Sequence, residues 1–266
     1  MPPDSADAQL LRWIQRQHTG QPLCLGLCGP QGSGKSTLAS HLLAELAKAG
    51  MRSVVLSLDD LYLSRTARAT LAKTVHPLLA TRGVPGTHDV VGGIALLDRL
   101  RNAEGEMSLP RFDKARDDPG PPLTVRGPFD LILFEGWCLG LPPQAEVALA
   151  RPVNALERDE DADGRWRRYV NQQLATDYCA LFSHIDKLLY LQAPDWNCVY
   201  DWRMAQENET AAAAGQATAL SEPAALQRFI AHYERLSRHA MDVLPSRADA
   251  VRRIDHDHGV LAQELR

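Results

Sequence analysis

An α/β fold is predicted for this chain: a three-layer sandwich in which a parallel sheet carries helices on both faces. Three observations predict it. Four short apolar runs, "LCLGLC" from Leu23, "SVVLSL" from Ser53, "DLILFEG" from Asp130 and "KLLYLQA" from Lys187, have the length and unbroken hydrophobicity of strands buried on both sides. Amphipathic stretches alternate with them, which is the pattern of strand–helix–strand crossovers. Between the first run and the first such stretch stands "GPQGSGKST", a G-x-x-x-x-G-K-S phosphate-binding loop in the strand-to-helix context that its chemistry requires, so the sandwich is of the P-loop NTPase type.

Taken in order, residues 1–20 read as an N-terminal helical extension. After the loop, "KSTLASHLLAELAKAG" puts Leu38, Leu42, Leu43 and Leu46 on one helical face and stops at Gly50, as a left-handed C-terminal cap does. "GGIALLDRLRNAEG" supplies a second helix, and "RWRRYVNQQLATDYCALFSHI" a longer one. Without a linker or a repeat, the 266 residues are expected to form a single domain over 1–266, with lid-like helical insertions at roughly 151–183 and 195–220. The second insertion includes the Ala-rich "TAAAAGQATA".

The formal net charge of -4 gives no basic field for a phosphate backbone, so no nucleic-acid partner is expected. The N-terminus lacks a basic leader, and no apolar run reaches the roughly eighteen residues that a membrane span needs. The expectation is a cytoplasmic protein with no membrane partner. Its five scattered cysteines then read as free thiols.

The chemistry starts at the loop. Gly29, Gly32, Ser33, Gly34, Lys35, Ser36 and Thr37 form the expected nucleotide site: backbone amides surround the phosphates, Lys35 brings a cation to the outer ones, and the Ser36 hydroxyl faces a magnesium ion. Ligands in such sheets bind beyond the carboxyl ends of the strands. The second strand, ending in "SLDDLYL", delivers Asp59 and Asp60 there; as extended neighbours they point to opposite sides, so one of them faces the phosphates. The third strand delivers Glu135, an acid able to order Mg²⁺ or its water shell. The chain has no N-K-x-D stretch for reading guanine and no L-S-G-G-Q stretch of a transporter ATPase. A kinase for a small hydroxylated molecule remains, with an Asp beside the loop as the base. A non-catalytic ATP-binding regulator stays open as an alternative, since it needs the loop and Glu135 but no base.

Together "SLDDLYL", "RGVPGTHD", "LPRFDKARDD", "LILFEGWCLG" and "YDWRMAQE" resemble the P-loop kinases that include uridine kinase, phosphoribulokinase and bacterial pantothenate kinase. Within that group the chain most resembles the D-glycerate 3-kinase family, from about Leu23 to about Ile254. The resemblance implies ATP and Mg²⁺ as cofactors, Asp59 rather than Asp60 as the base, and Glu135 as the metal-ordering acid. Leu61 stands where the family often has Phe. The implied acceptor is D-glycerate and the product 3-phosphoglycerate, with a uridine- or pantothenate-type acceptor as the alternative.

Three further segments are candidates for the acceptor and the lid. "RGVPGTHD" offers Arg82, His88 and Asp89, although Gly and Pro alone account for a turn there. "LPRFDKA" offers Arg111, Asp113 and Lys114, of which an arginine could hold a carboxylate through two parallel hydrogen bonds. "YDWRMAQE" offers Trp202 and Arg203, with Arg203, aided by Arg165 or Arg168, expected to close over the phosphates as a catalytic arginine. "DHDHG" near the C-terminus reads as a solvated tail.

Overall fold

The computed structural model describes residues 5–214, 220 and 222–266. Helix α1 (Ala6–Gln17), capped by Ser5, leads into the central strand β1 (Leu23–Cys28), the phosphate loop and α2 (Lys35–Lys48). Strand β2 (Ser53–Ser57) gives way to a single 3₁₀ turn, Leu58–Leu61, and then to α3 (Arg65–Thr74) and α4 (Val90–Arg101). Two antiparallel ribbons follow, β3 (Gly105–Leu109) with β6 (Leu123–Gly127), and inside them β4 (Phe112–Asp113) with β5 (Asp118–Pro119). The chain returns to the main sheet as β7 (Leu131–Gly136) and leaves it for the short helices α5 (Glu146–Leu149) and α6 (Ala155–Glu160), then α7 (Arg165–Ala175) and α8 (Asp177–Phe182). Strand β8 (Lys187–Gln192), α9 (Asn197–Ala214), α10 (Pro223–Arg247), β9 (Ala250–Ile254) and β10 (Val260–Leu265) complete it.

The sheet order is β10-β9-β8-β1-β7-β2, parallel throughout except for β10. The chain leaves β1 for one side and later fills the other, so a topological switch point lies at the carboxyl end of β1, where the loop begins. Alternation along the strands explains the layers. Leu25 and Leu27 of β1 and Leu131 and Leu133 of β7 face Leu10, Ile14, Leu42 and Leu46 of α1 and α2. Cys24, Cys28, Ile132 and Phe134 face the other way, into a larger core with α4, α7, α8 and α10. The three-layer sandwich is the predicted one, and α1 belongs to one of its layers.

Three departures from the sequence reading affect the site, and one expectation falls outside what the structure describes. Asp59 and Asp60 are not extended neighbours: Ser57 accepts the Asp59 amide at 3.3 Å and starts the 3₁₀ turn, so that turn and not a strand's alternation sets their directions. The long helix expected over "RWRRYVNQQLATDYCALFSHI" breaks at Thr176 (φ -116°, ψ -94°), and just beyond the break Tyr178 is completely buried. The "DHDHG" stretch is largely exposed, as expected, but is no tail, because it forms the turn between β9 and β10. Finally, the part of the expected lid at 215–219 lies outside the described residues, while residues 210–214 continue α9.

Candidate active site

The phosphate loop is shaped by its glycines. Gly32 (φ +75°) would place a Cβ 2.5 Å from the Cβ of Trp202, so the residue must be glycine both for its left-handed backbone and for the close approach of α9. Gly34 (φ +81°) opens α2 with no side chain capping it, leaving the helix's first amides directed at the loop. Ser33 is buried, whereas Ser36 and Thr37 are exposed on the first turn of α2. The Lys35 ammonium donates to the carbonyl of Pro30 at 2.9 Å. Burial pulls it below its usual pKa, against Glu135, which raises it.

Glu135 ends β7 and pairs in register with both Leu27 of β1 and Ser57 of β2. Its carboxylate is nearly buried and accepts the Ser57 hydroxyl at 2.5 Å. Ser57 therefore ties the acid of β7 to the turn that carries Asp59, a role not foreseen from sequence.

Asp59 and Asp60 take different partners. Asp59 Oδ1 accepts the Tyr62 hydroxyl at 2.7 Å, and Oδ2 accepts the Lys114 ammonium at 2.6 Å. Burial works to raise the Asp59 carboxyl, but Lys114 and Tyr62 outweigh it and bring its pKa down to about 2. Asp60 grips the base of the inner ribbon, accepting Arg111 Nη1 at 2.6 Å and the Phe112 amide at 3.1 Å. Arg111 is thus paired within the protein, not standing open as a clamp. Arg82 is likewise committed: it pairs with Asp117, which also meets the buried Arg68 at 2.8 Å. Asp113 accepts the amides of Ala115 and Arg116, and that tight turn presents Lys114 to Asp59. Asp89 caps α4 through the Gly92 amide. His88 stacks on Tyr62 with centroids 4.6 Å apart, and its Nδ1 lies 2.5 Å from the Tyr178 hydroxyl.

Arg203 follows Trp202 beside the loop, but its guanidinium pairs with Glu207 and Gln206 of its own helix and lies 5.8 Å from the Phe229 ring centroid. Arg165 and Arg168 bond Thr74, Glu146 and Asp163, none of them in the loop. The loop has a neighbour that the sequence did not reveal: His258 Nε2 meets the carbonyl of Gly32 at 2.7 Å while the ring stacks on Trp202 at 4.6 Å.

A sheet of this order, with the glycine loop at its switch point, defines a nucleotide-using P-loop protein. Over 217 residues the chain is 36% identical to the protein named uncharacterized kinase mug58 from Schizosaccharomyces pombe, covering 75% of this chain and 76% of that one. It is 33% identical over 199 residues to the chloroplastic D-glycerate 3-kinase of Arabidopsis thaliana, a match that takes in 70% of this chain and 41% of the plant protein. The structure of D-glycerate 3-kinase from Cryptococcus neoformans aligns with a TM-score of 0.80 at 25% identity, over 98% of this chain and 99% of that one. The description "Methylmalonyl Co-A mutase-associated GTPase MeaB" matches residues 2–65, a stretch that holds the loop and β2 but neither Glu135 nor Lys114. The chain belongs to the D-glycerate 3-kinase family of P-loop kinases. It is a phosphotransferase that uses a nucleotide and acts on an alcohol group of a small molecule. Among the described residues no helix is long and apolar enough to cross a membrane.

Proposed function

We propose that the protein transfers the γ-phosphoryl of ATP to the terminal hydroxyl of D-glycerate, giving 3-phosphoglycerate and ADP. The observation that carries this reading is the Lys114–Asp59 pair. An aspartate held near pKa 2 by an ammonium is a weak proton acceptor, so turnover requires Lys114 to leave Oδ2. An acceptor that bears its own carboxylate supplies the competing anion and, in drawing Lys114 away, releases the base. A small hydroxy acid meets that demand, and relatives of this chain carry the name D-glycerate 3-kinase.

The residues of the loop suit a triphosphate. Lys35 is a cation in a desolvated setting whose hydrogen-bond acceptor is only a backbone carbonyl, and the helix start behind it is uncapped. Ser36 and Glu135 would hold Mg²⁺, which when bound offsets phosphate charge. In the transfer, the acceptor oxygen forms a bond to the γ-phosphorus as the bond to the bridging oxygen of ADP breaks, and the hydroxyl proton passes to Asp59 Oδ2. Tyr62, by holding Oδ1, fixes which oxygen receives it. Arg203 lies one residue from the loop contact of Trp202, and in this reading it exchanges Glu207 for phosphate as the site closes. Arg111 keeps the ribbon in place through Asp60. Arg82 and His88 border the same region. The helical segments at 151–183 and 195–214 serve as the cover of a single catalytic domain.

The test is a panel of D-glycerate, uridine and pantothenate with ATP and Mg²⁺, read by ADP release and by ³¹P NMR of the product. D-Glycerate is expected to give the highest kcat/KM and a 3-phosphoglycerate signal. A far higher kcat/KM for uridine or pantothenate rejects the acceptor and leaves the kinase.

A further inference from the structure

His88 is 5% exposed and Tyr178 is fully buried, and between them they raise a question of proton placement. The Tyr178 oxygen accepts the Gly86 amide at 3.0 Å. Burial holds the phenol far above its usual pKa, so it keeps its proton. With the Gly86 amide on one lone pair, the hydroxyl still has its own proton to place, and among the described residues its acceptor is His88 Nδ1 at 2.5 Å. Burial also holds the imidazole down to about 3, so the ring is neutral and carries one proton. If Nδ1 accepts, that proton is on Nε2. Nε2 is buried and has no hydrogen-bond partner among the described residues. It emerges from a different ring edge than Nδ1, away from Tyr178. The ring that bears it stacks on Tyr62, whose hydroxyl holds Asp59, and the Asp59 charge acts on the imidazole.

A buried donor without an acceptor is destabilising unless a ligand serves it. We infer that Tyr178 locks His88 as a neutral Nε2–H donor that reads an uncharged oxygen of the acceptor, the hydroxyl next to its carboxylate. The inference rests on the hydroxy-acid reading above and assigns a selectivity to it. Lys114 answers for the carboxylate and Asp59 for the terminal hydroxyl. Neither distinguishes D-glycerate from 3-hydroxypropionate, which lacks the middle hydroxyl; the His88 donor does. A site built around a substrate hydroxyl rejects the analogue without it because its own polar atom is then left unpaired. In this arrangement Tyr178 is a positioning residue, since it acts only by fixing the tautomer.

The experiment compares kcat/KM for D-glycerate and 3-hydroxypropionate in the wild type, His88→Leu, His88→Gln and Tyr178→Phe. The wild-type ratio is expected to be on the order of 10² or more. It should collapse in His88→Leu, recover in part in His88→Gln, which restores a donor, and fall in Tyr178→Phe, with KM for ATP unchanged throughout. Imidazole ¹⁵N spectra of the wild type give a readout that needs no variant to fold: His88 should show the Nε2–H tautomer at neutral pH, and its Nε2–H resonance should move when D-glycerate is added. Normal D-glycerate turnover with the ratio intact in His88→Leu, or an Nδ1–H tautomer in the wild type, overturns the inference while the functional reading stands. Absence of D-glycerate turnover in the wild type overturns the reading itself.

Discussion

The two sides of the active site handle charge differently. On the nucleotide side, Lys35 contacts a backbone carbonyl of its own loop and α2 begins without a cap, so the positive end is left for a ligand's negative charge. On the acceptor side each candidate cation already has a carboxylate: Lys114 has Asp59, Arg111 has Asp60 and Arg82 has Asp117. In the proposed reaction the first side is preorganised, and the second exchanges partners before it works. That difference assigns distinct kinetic signatures to the two, because removing a preorganised group costs transition-state stabilisation outright, whereas removing one half of an exchanging pair alters both the resting and the loaded state.

The largest expected effect tests the base, where the two sides meet. Asp59→Asn should lower kcat by roughly 10² to 10⁴ fold with KM for ATP nearly unchanged. Asp60→Asn should act on the placement of the ribbon, raising KM for the acceptor. If steady-state kinetics show the two phenotypes reversed, the division between the acids is wrong.

Next comes the preorganised cation. Lys35→Ala should cut kcat by about 10² to 10³ fold and weaken nucleotide binding, as expected for a lost electrostatic anchor, while circular dichroism shows an intact fold. Full turnover by the folded variant would remove the loop from the mechanism. A smaller change, about tenfold in KM for the acceptor with KM for ATP unaltered, is expected of Arg111→Ala, because Arg111 acts through Asp60 and the ribbon. Equal rises in both KM values would show that the ribbon serves the nucleotide as well.

A further expected effect concerns stability and leaves the rate at neutral pH untouched. Burial lowers His88 to a pKa of about 3 and His232 to about 4, from an ordinary value near 6.5. The unfolded chain therefore binds more protons than the folded one in this window. Their contribution is fully present above about pH 6.5 and is lost as pH falls toward 3, with a slope of up to ~1.4 kcal/mol per pH unit for each histidine. Urea unfolding at a series of pH values should show the decline, and His88→Gln should flatten it.

The nucleotide side was far more legible in the sequence than the acceptor side. Strands β1, β2, β7 and β8 announce themselves as apolar runs, and the loop has a fixed spacing beside one of them. β9 does not, because Arg252 and Arg253 interrupt it; Arg252 is nevertheless buried, paired with Asp7 at 2.6 Å and with Gln263. The two ribbons lie in Gly- and Pro-rich sequence that reads as loop. Asp59 and Glu135 could be found from the ends of strands, and Tyr62 stands three residues after Asp59 in "SLDDLYL", a spacing that a 3₁₀ turn makes meaningful. Tyr178 carried no such signal. It meets His88 across 90 residues of chain, and only the break at Thr176 brings it into the core.

His258 reaches Gly32 across 226 residues. A polypeptide made from its amino end exposes the phosphate loop long before the hairpin that props it, so a nascent chain halted ahead of residue 250 would bear the entire G-x-x-x-x-G-K-S signature with neither His258 nor the β9–β10 turn beneath it. On this architecture the loop gains its contact with His258 only after β9 and β10 have followed it, well after the signature itself emerges.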